Sequence, residues 1–308
     1  MNYLIVVVGP TAIGKTAHSI ALAKALGCEI VSCDSRQFYQ EMCIGTAVPE
    51  AEELAAAPHH FIQHKSIQDT YNVGLYEQEA LTKLDELFTH TNRAILVGGS
   101  GLYVHAGMQG LDQFPAVEPK IRQEIESLYQ RNGLSYLQTE FKRVDPSYFA
   151  DLLENNPQTL QNPQRLMRFI EVSLGSEYPY SHYLQRKEVQ RNFTPIVLGL
   201  QAERSVLYER INLRVDLMIE KGLVDEVKGL RQEKYNNALQ TVGYAELFDY
   251  LDGRCELPEA IERIKQNSRR YAKRQLTWFT HKLHAQWFDY QTPTAQLVDY
   301  IEQIMQTN

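Results

Sequence analysis

The chain has 308 residues, of which 44% are hydrophobic and 22% charged, and its formal net charge is −7. This balance is that of an ordinary globular protein, and the length predicts two domains. Because no run of about 18 apolar residues occurs, we expect no membrane span, and the acidic balance excludes a surface that is basic throughout. The four cysteines include no C-x-x-C pair, which predicts free, buried thiols in a reducing, cytoplasmic compartment.

Apolar runs along the chain predict the strands of a buried parallel sheet. A helical pattern precedes or follows each run, which is typical of an α/β fold with helices on both faces of a doubly wound, mainly parallel sheet. The predicted strands are Tyr3–Val8, Glu29–Cys33, Ala94–Val97 and Pro195–Leu200, with a further strand at Ala285–Tyr290.

The first predicted strand leads into a segment that fits the phosphate-binding pattern G-x-x-x-x-G-K-[ST]. Its glycines allow backbone N–H groups to turn toward an anion, and the start of the following helix, expected to end near Leu26, adds a positive dipole end. Lys15 supplies a full positive charge to phosphates, and the hydroxyl of Thr16 is placed to hold Mg²⁺. The predicted phosphate-binding residues of this P-loop are Gly9, Pro10, Thr11, Ala12, Ile13, Gly14, Lys15 and Thr16.

Polar residues follow the second and third predicted strands, where the strand ends of a parallel sheet face a ligand crevice. Asp34 can accept a proton from a nucleophile or hold a magnesium-bound water, but a role as a turn or helix-capping residue is also open. After the third strand, Gly98, Gly99 and Ser100 stand where an ATP-driven motor carries an acidic residue. The glycines are expected to let a ligand approach, and Ser100 offers a hydroxyl. This local chemistry by itself favours a small-molecule kinase.

Residues 114–191 differ from the rest of the chain because their pattern is helical and polar, with several prolines and no convincing strand. We predict a helical insertion domain there, between the two parts of a P-loop core formed by residues 1–113 and 192–308. A long helix predicted over Pro258–Leu283 carries seven cations and no acidic residue between positions 263 and 282. This pattern indicates either a polyanion-binding face or a solvated helix face. We call these cations the basic stripe: Arg263, Lys265, Arg269, Arg270, Lys273, Arg274 and Lys282.

Beyond the P-loop, short motifs follow one another in a defined order along nearly the whole chain. They are Asp34-Ser-Arg-Gln-Phe-Tyr39, Ile44-Gly-Thr-Ala47, Pro58-His-His60, Val97-Gly-Gly-Ser-Gly-Leu-Tyr103, Asn162-Pro-Gln-Arg-Leu166, Met218-Ile-Glu-Lys-Gly-Leu223, Gln240-Thr-Val-Gly-Tyr244 and Arg270-Tyr-Ala-Lys-Arg-Gln-Leu-Thr-Trp-Phe279. The series closely resembles the tRNA isopentenyltransferase (dimethylallyltransferase) family of bacterial type. Its later motifs are more specific than the P-loop.

The resemblance implies transfer of a dimethylallyl group from dimethylallyl diphosphate to N6 of the adenosine adjacent to the anticodon in tRNA. The P-loop and Mg²⁺ would hold the departing diphosphate, Asp34 would act as general base, and Ser100, where the family often has threonine, would be a second catalytic residue. The insertion domain would grip the anticodon stem-loop, and the enzyme would be a cytoplasmic monomer. The residues that match tRNA-contacting positions are Asp34, Ser35, Arg36, Gln37, Ser100, Arg122, Gln161, Asn162, Pro163, Gln164 and Arg165.

Some positions depart from the family pattern. Val48-Pro49 stands where lysine-proline is common, and Ile13 replaces a small residue whose side chain need not face phosphate. His59 and His60 are adjacent, which favours structural roles over a shared metal. As in bacterial members, no Cys/His zinc module follows Ile304.

Three alternatives to the tRNA enzyme stay open. They are a small-molecule kinase, an enzyme that prenylates free adenine nucleotides, and an RNA-binding protein that uses nucleotide as a switch. The insertion and the basic stripe weigh against the first two, since neither needs a long polyanion-binding surface. The surroundings of Asp34 and Ser100 weigh against the third, which needs no catalytic groups.

Overall fold

The computed structural model describes residues 1–184 and 190–307, and the chain divides into two compact units. The first unit comprises residues 1–110 and 190–308, and the second comprises residues 111–189. The limits predicted for the insertion fall within a few residues of these bounds. Among the described residues, no helix is both long and apolar enough to cross a membrane.

The first unit is built on one six-stranded sheet in which all neighbouring strands are parallel. In chain order the strands are β1 (Asn2–Val8), β2 (Ile30–Ser32), β3 (His59–His60), β4 (Arg93–Gly98), β5 (Phe193–Gln201) and β6 (Gln286–Asp289). Their order in the sheet is β3-β2-β4-β1-β5-β6, which confirms the predicted parallel α/β architecture. The edge strand β3 is not predicted from the sequence, because two adjacent histidines form no apolar run.

Helices cover both faces of this sheet. In chain order the α-helices are α1 (Lys15–Leu26), α2 (Ala51–Ala56), α3 (Val73–Leu87), α4 (Gly101–Gln109), α5 (Pro119–Val144), α6 (Pro146–Asn155), α7 (Pro163–Gly175), α8 (Arg204–Glu220), α9 (Leu223–Gly229), α10 (Tyr244–Leu251), α11 (Leu257–Lys282) and α12 (Thr294–Thr307). Ile5 and Val7 of β1 pack in one apolar layer with α1, α8 and α12, while Leu4 and Val6 pack in the other with α3 and α4. The central strand is therefore apolar throughout, as a strand buried on both faces must be.

The second unit contains α5, α6 and α7 and has an apolar core of its own around Phe141. Asp145, at the start of α6, is buried, and its carboxylate accepts hydrogen bonds from the N–H (2.9 Å) and the hydroxyl (3.0 Å) of Ser181. Gly133 interrupts α5 with a φ of 70°, a conformation that suits glycine. Within the described part of residues 111–189, every regular element is helical.

The glycines after β4 permit close packing of protein atoms. Gly98 also lines the cleft described below, so the ligand approach expected from the sequence stays a prediction. A Cβ atom on Gly98 would lie 2.5 Å from Sγ of Cys33, and one on Gly99 would overlap the side-chain amide of Gln275. The end of β4 therefore lies tightly against the end of β2 and against α11, which carries Gln275.

Replacing Gly98 with Ala is expected to lower the free energy of unfolding by about 1–3 kcal/mol, because the new methyl group overlaps Cys33 in a close-packed layer. Gly229→Ala is the matched control, since a Cβ atom there meets nothing within 4 Å. Urea titration followed by circular dichroism compares the unfolding midpoints. A Gly98→Ala midpoint equal to that of the wild type would contradict the tight packing of β4 on β2.

Candidate active site

The P-loop lies between β1 and α1, and its backbone adopts conformations that regular structure does not allow. Gly9, Ala12 and Gly14 have φ values of 154°, 65° and 104°. A Cβ atom on Gly9 would lie 2.7 Å from the carbonyl oxygen of Leu200, so only glycine fits there. Ile13 is buried in the apolar layer above β1, which explains how a large side chain is accommodated without facing an anion.

The P-loop borders an open cleft of about 930 Å³ in the first unit. The P-loop residues that line it are Thr11, Ala12, Gly14, Lys15 and Thr16. Its other walls combine polar side chains, Glu50, Glu53 and Lys221 among them, with an apolar group that includes Ile44, Val48, Leu54, Leu217 and Met218. The cleft therefore offers an anion-binding end and an apolar end to the same ligand.

Lys15 provides a partly buried positive charge at the anion-binding end. Its Nζ donates to the carbonyl oxygens of Gly9 (3.1 Å) and Pro10 (2.9 Å) and forms no ion pair with any described residue. Burial lowers the pKa of Lys15 to about 8, against the opposing attraction of Asp34. The ammonium group is thus held over the P-loop without a bound carboxylate.

Two arginines of α8 add to this charge, and sequence inspection missed both. The Nε of Arg210 donates to the carbonyl oxygen of Ala12 (2.8 Å), and a terminal nitrogen of Arg214 donates to the hydroxyl of Thr11 (3.1 Å). Burial lowers the pKa of Arg214, and the carboxylate of Asp34 opposes that shift. The two arginines are four residues apart, a spacing that places side chains on one helix face and could have identified them as a pair.

Asp34 follows β2 and faces the same cleft as Lys15. Its Oδ1 accepts a hydrogen bond from the backbone N–H of Arg36 at 3.2 Å. One carboxylate oxygen therefore stabilises the local turn. The turn role considered from the sequence is therefore confirmed, and the role as a proton acceptor or magnesium-binding residue stays a prediction.

Ser100, at the start of α4, joins a small group of hydroxyls beside Asp34. Its Oγ accepts from the backbone N–H of Ser35 at 3.1 Å and lies 3.0 Å from the Oγ of the same residue. The hydroxyl of Tyr271, from α11, also hydrogen-bonds Ser100, and burial together with the Asp34 charge raises the pKa of Tyr271 to about 12. Tyr271 is therefore a neutral hydroxyl donor at neutral pH, and sequence inspection assigned it no role.

A second cavity of about 260 Å³ lies on the other side of Asp34. The residues that line both this cavity and the cleft are Thr11, Ala12, Asp34, Arg214, Met218 and Tyr271. We call these six residues the partition. Asp34 is the acidic residue that the two cavities share.

Gln275 ties the P-loop to the end of β4. Its Oε1 accepts from the backbone N–H of Thr11 and its Nε2 donates to the carbonyl oxygen of Gly99, both at 2.8 Å. The side chain is buried, so both bonds are protected from water. Gln275 lies one turn after Tyr271. Helix α11 therefore supplies one residue of the partition, Tyr271, and also the side chain that supports the P-loop.

Two other predicted tRNA-contacting residues of the first unit, Arg36 and Gln37, form hydrogen bonds to backbone carbonyl oxygens of the same unit. A guanidinium nitrogen of Arg36 donates to the carbonyl oxygen of Asn237 at 3.2 Å. Nε2 of Gln37 donates to the carbonyl oxygens of Thr46 (3.1 Å) and Ala47 (2.8 Å). Asp34 to Gln37 thus form one continuous segment along the partition and the cleft.

The other predicted tRNA-contacting residues lie in the second unit. Arg122 donates to the side-chain oxygen of Gln164 at 2.8 Å and lies 3.4 Å from the carboxylate of Glu171. Asn162 caps α7 by accepting from the backbone N–H of Arg165 at 3.1 Å, and Pro163 opens the helix. Of the residues 161–165, all but Pro163 are exposed, so the helix start presents polar side chains to solvent.

The contacts of His59 and His60 indicate structural roles for both histidines. Nε2 of His60 lies 2.6 Å from the carboxylate of Glu29, and Nδ1 of His59 lies 2.7 Å from a backbone carbonyl oxygen. In the described ranges, no group of three or more His, Cys, Asp or Glu side chains is placed to hold a metal. All four cysteines are free, but Cys43 is exposed, so the expectation of four buried thiols is wrong at that position.

Comparison with known proteins identifies close relatives of this chain. The model of the family described as IPP transferase matches residues 37–282. A tRNA dimethylallyltransferase of Flavobacterium johnsoniae is 57% identical over 301 residues, which cover 98% of this chain and 97% of that protein. The crystal structure of a tRNA isopentenylpyrophosphate transferase from Bacillus halodurans is 35% identical, with a TM-score of 0.71 and coverage of 100% of this chain and 96% of that one. A eukaryotic dimethylallyltransferase acting on tRNA, 23% identical, shares the fold with a TM-score of 0.76 over 95% of this chain and 75% of that one.

The pKa of Lys15 leads to a pH-dependent affinity for diphosphates. Because Lys15 loses its charge as the pH rises through about 8, the affinity for ethyl diphosphate should fall by about tenfold between pH 7 and pH 9. Isothermal titration calorimetry over this range measures the change, and Lys15→Arg, which stays charged, is the control. A wild-type affinity that runs parallel to that of Lys15→Arg would contradict the assignment.

Proposed function

Because the chain belongs to the IPP transferase family, it is a tRNA-modifying prenyltransferase, and we propose that its partition separates a prenyl donor from an adenine acceptor. The enzyme transfers a dimethylallyl group from dimethylallyl diphosphate to N6 of the adenosine adjacent to the anticodon, releasing diphosphate. The observation that supports this division is the place of Asp34, which lines both the cationic cleft and the second cavity.

The donor fits the cleft in one orientation. Its diphosphate lies at the P-loop, where Lys15, Arg210 and Arg214 offer three positive charges and α1 offers its N-terminus. Its five-carbon group lies against apolar side chains such as Ile44 and Met218. As the C–O bond breaks, the electron pair leaves with the diphosphate, and charges already in place stabilise it without rearrangement.

Mg²⁺ is compatible with the residues of the cleft. The hydroxyl of Thr16 is an oxygen ligand of the kind that Mg²⁺ prefers, and oxygens of the diphosphate would complete its coordination. We propose that Thr16 holds the ion. When bound, Mg²⁺ would neutralise part of the charge that develops on the leaving diphosphate.

The acceptor base enters from the other side of the partition. The second cavity is large enough for a purine base, and an adenine in the anticodon loop must leave its stack to reach it. The N6 lone pair forms the new bond to the prenyl carbon, and Asp34 takes the N6 proton. Tyr271 lines the second cavity and offers a hydroxyl group that orients the base beside Asp34. Ser100, which is not among the residues that line either cavity, supports that hydroxyl through its hydrogen bond to Tyr271.

Part of the basic stripe is available for the tRNA backbone. Arg263 pairs with Glu259 and Lys265 with Asp216, so these two cations are neutralised within the protein. Among the described residues, no ion pair involves the four cations at positions 270, 273, 274 and 282. The guanidinium of Arg274 lies 5.7 Å from the ring centre of Tyr271, so this free part of the stripe starts at the partition. Such a row of cations next to the acceptor cavity suits the phosphates of the anticodon stem-loop.

The same observations support the remaining parts of the proposal. We propose that the enzyme acts as a monomer in which the first unit lines both the cleft and the second cavity. Four free cysteines suit the reducing cytoplasm, where the tRNA substrate is found. We propose that residues Gln161–Arg165 and Arg122 of the second unit contact the stem of the same anticodon arm.

Replacing Asp34 with Asn should lower the rate of prenyl transfer by about 10²- to 10⁴-fold, because the amide cannot accept the N6 proton. The amide oxygen can still accept from the N–H of Arg36, so the local turn is preserved. Single-turnover assays measure transfer and fluorescence anisotropy measures tRNA binding, which should be largely retained. Asp34→Ala should behave similarly, and equal loss of binding and transfer in both variants would remove Asp34 from the role of base.

Removing a free cation of the stripe should make tRNA binding less salt-dependent. For Arg270→Ala or Lys273→Ala, the slope of log K against log[salt] should become shallower by about 0.7–0.9 per residue, the contribution of one phosphate contact. Arg263→Ala removes an equal charge that is already paired with Glu259 and should leave the slope unchanged. Slopes for Arg270→Ala and Lys273→Ala that equal the wild-type slope would show that these cations do not contact the RNA backbone.

A further inference from the structure

One carboxylate outside the P-loop region accepts an unusual set of hydrogen bonds. Oε2 of Glu226, in α9, accepts from the backbone N–H groups of Cys43 (3.1 Å) and Ile44 (2.7 Å). Its Oε1 accepts from the N–H of Gly45 (3.0 Å) and from the hydroxyl of Tyr244 (2.6 Å). Successive backbone N–H groups that converge in this way commonly surround a bound anion, and here the protein provides the anion itself.

Tyr244 supports both the carboxylate of Glu226 and the backbone that bonds to it. It is fully buried, and a Cβ atom on Gly45 would lie 2.5 Å from its ring, so the backbone lies directly on the phenol. Burial and the neighbouring Glu226 raise the pKa of Tyr244, which therefore remains a hydrogen-bond donor. Glycine is required at position 45 for this contact.

The segment held by Glu226 separates the two cavities. We call residues 43–48 the wall loop. Cys43, Ile44, Ala47 and Val48 line the cleft, whereas Gly45 and Thr46 line the second cavity. Glu226 holds the first half of the wall loop through its N–H groups, and Gln37 holds the second half through the carbonyl oxygens of Thr46 and Ala47.

We propose that Glu226 is a positioning residue that keeps the wall loop in place and thereby excludes water from the allylic carbon during transfer. This inference rests on the proposed function. When the C–O bond breaks, the allylic carbon accepts an electron pair either from N6 of adenine or from a water oxygen, and the attacking group loses a proton. Attack by water yields dimethylallyl alcohol and diphosphate in place of modified tRNA. While the wall loop is fixed, N6 of the adenine reaches the allylic carbon more readily than water does.

Glu226→Gln tests this role. The amide keeps the size of the side chain but replaces one acceptor oxygen with an NH₂ group that faces a backbone N–H. Asp225→Asn is the matched control, since Asp225 is exposed in the same turn of α9 and the charge change is identical. Labelled donor and tRNA are incubated with each protein, and the ratio of dimethylallyl alcohol to modified adenosine is measured.

The expected result is an alcohol fraction about tenfold higher in Glu226→Gln than in the wild type and unchanged in Asp225→Asn, a factor that corresponds to a loss of about 1.4 kcal/mol of discrimination. Hydrogen exchange should become faster at the N–H groups of residues 43–45 while that of the P-loop stays the same. A slower Glu226→Gln enzyme with a wild-type alcohol fraction would reduce Glu226 to a structural role and overturn the proposal.

A second variant guards against misfolding. Tyr244→Phe removes one donor to Glu226 but leaves the three backbone N–H bonds, so it should raise the alcohol fraction by less than Glu226→Gln. If Glu226→Gln does not fold, as judged by its thermal unfolding midpoint, an unchanged alcohol fraction in Tyr244→Phe overturns the proposal. Wild-type protein that produces neither modified tRNA nor alcohol would instead refute the proposed function.

Discussion

Positive charge without a bound counter-charge is the constraint that organises the reaction site. Lys15, Arg210 and Arg214 surround the P-loop, and within the described ranges none of them forms an ion pair. Burial disfavours the charged forms of Lys15 and Arg214, as the lowered pKa values of these two residues show. An arriving diphosphate compensates these charges, so part of the free energy of binding comes from relieving an unfavourable state of the free protein. The site is therefore selective for anions before any specific contact is considered.

Two helices, α8 and α11, hold the P-loop and its surrounding cations in place, and each uses two residues that lie one turn apart. Arg210 and Arg214 of α8 bond to the P-loop, while Tyr271 and Gln275 of α11 reach the partition and the P-loop backbone. Because Gln275 also bonds to Gly99, the ends of β1 and β4 are fixed relative to each other. Gly99 is explained by this contact, since a larger residue there would displace Gln275.

The sequence predicted those parts of the fold that depend on local patterns. Continuous apolar runs identified five of the six strands, and the loop pattern identified the P-loop, because both are properties of neighbouring residues. Arg214 was missed because its role arises from the packing of α8 against a loop about 200 residues earlier. The basic stripe shows the same limit: the sequence gives seven cations, but the pairing of Lys265 with Asp216 depends on how α8 and α11 pack. Long-range contacts, and not propensities, decide which charges remain free.

A general base and a cluster of cations can share one site only if they are kept apart. An ion pair with Lys15 or Arg214 would occupy the oxygens of Asp34, which in the proposed mechanism accept the N6 proton. The structure prevents this by giving each cation another acceptor: Lys15 bonds to carbonyl oxygens of the P-loop, and Arg214 bonds to the hydroxyl of Thr11. Oδ1 of Asp34 in turn accepts from the backbone N–H of Arg36 within its own turn. In the proposed mechanism the backbone of the P-loop thus has two functions, since it would form part of the diphosphate site and would also keep the cations from pairing with the base.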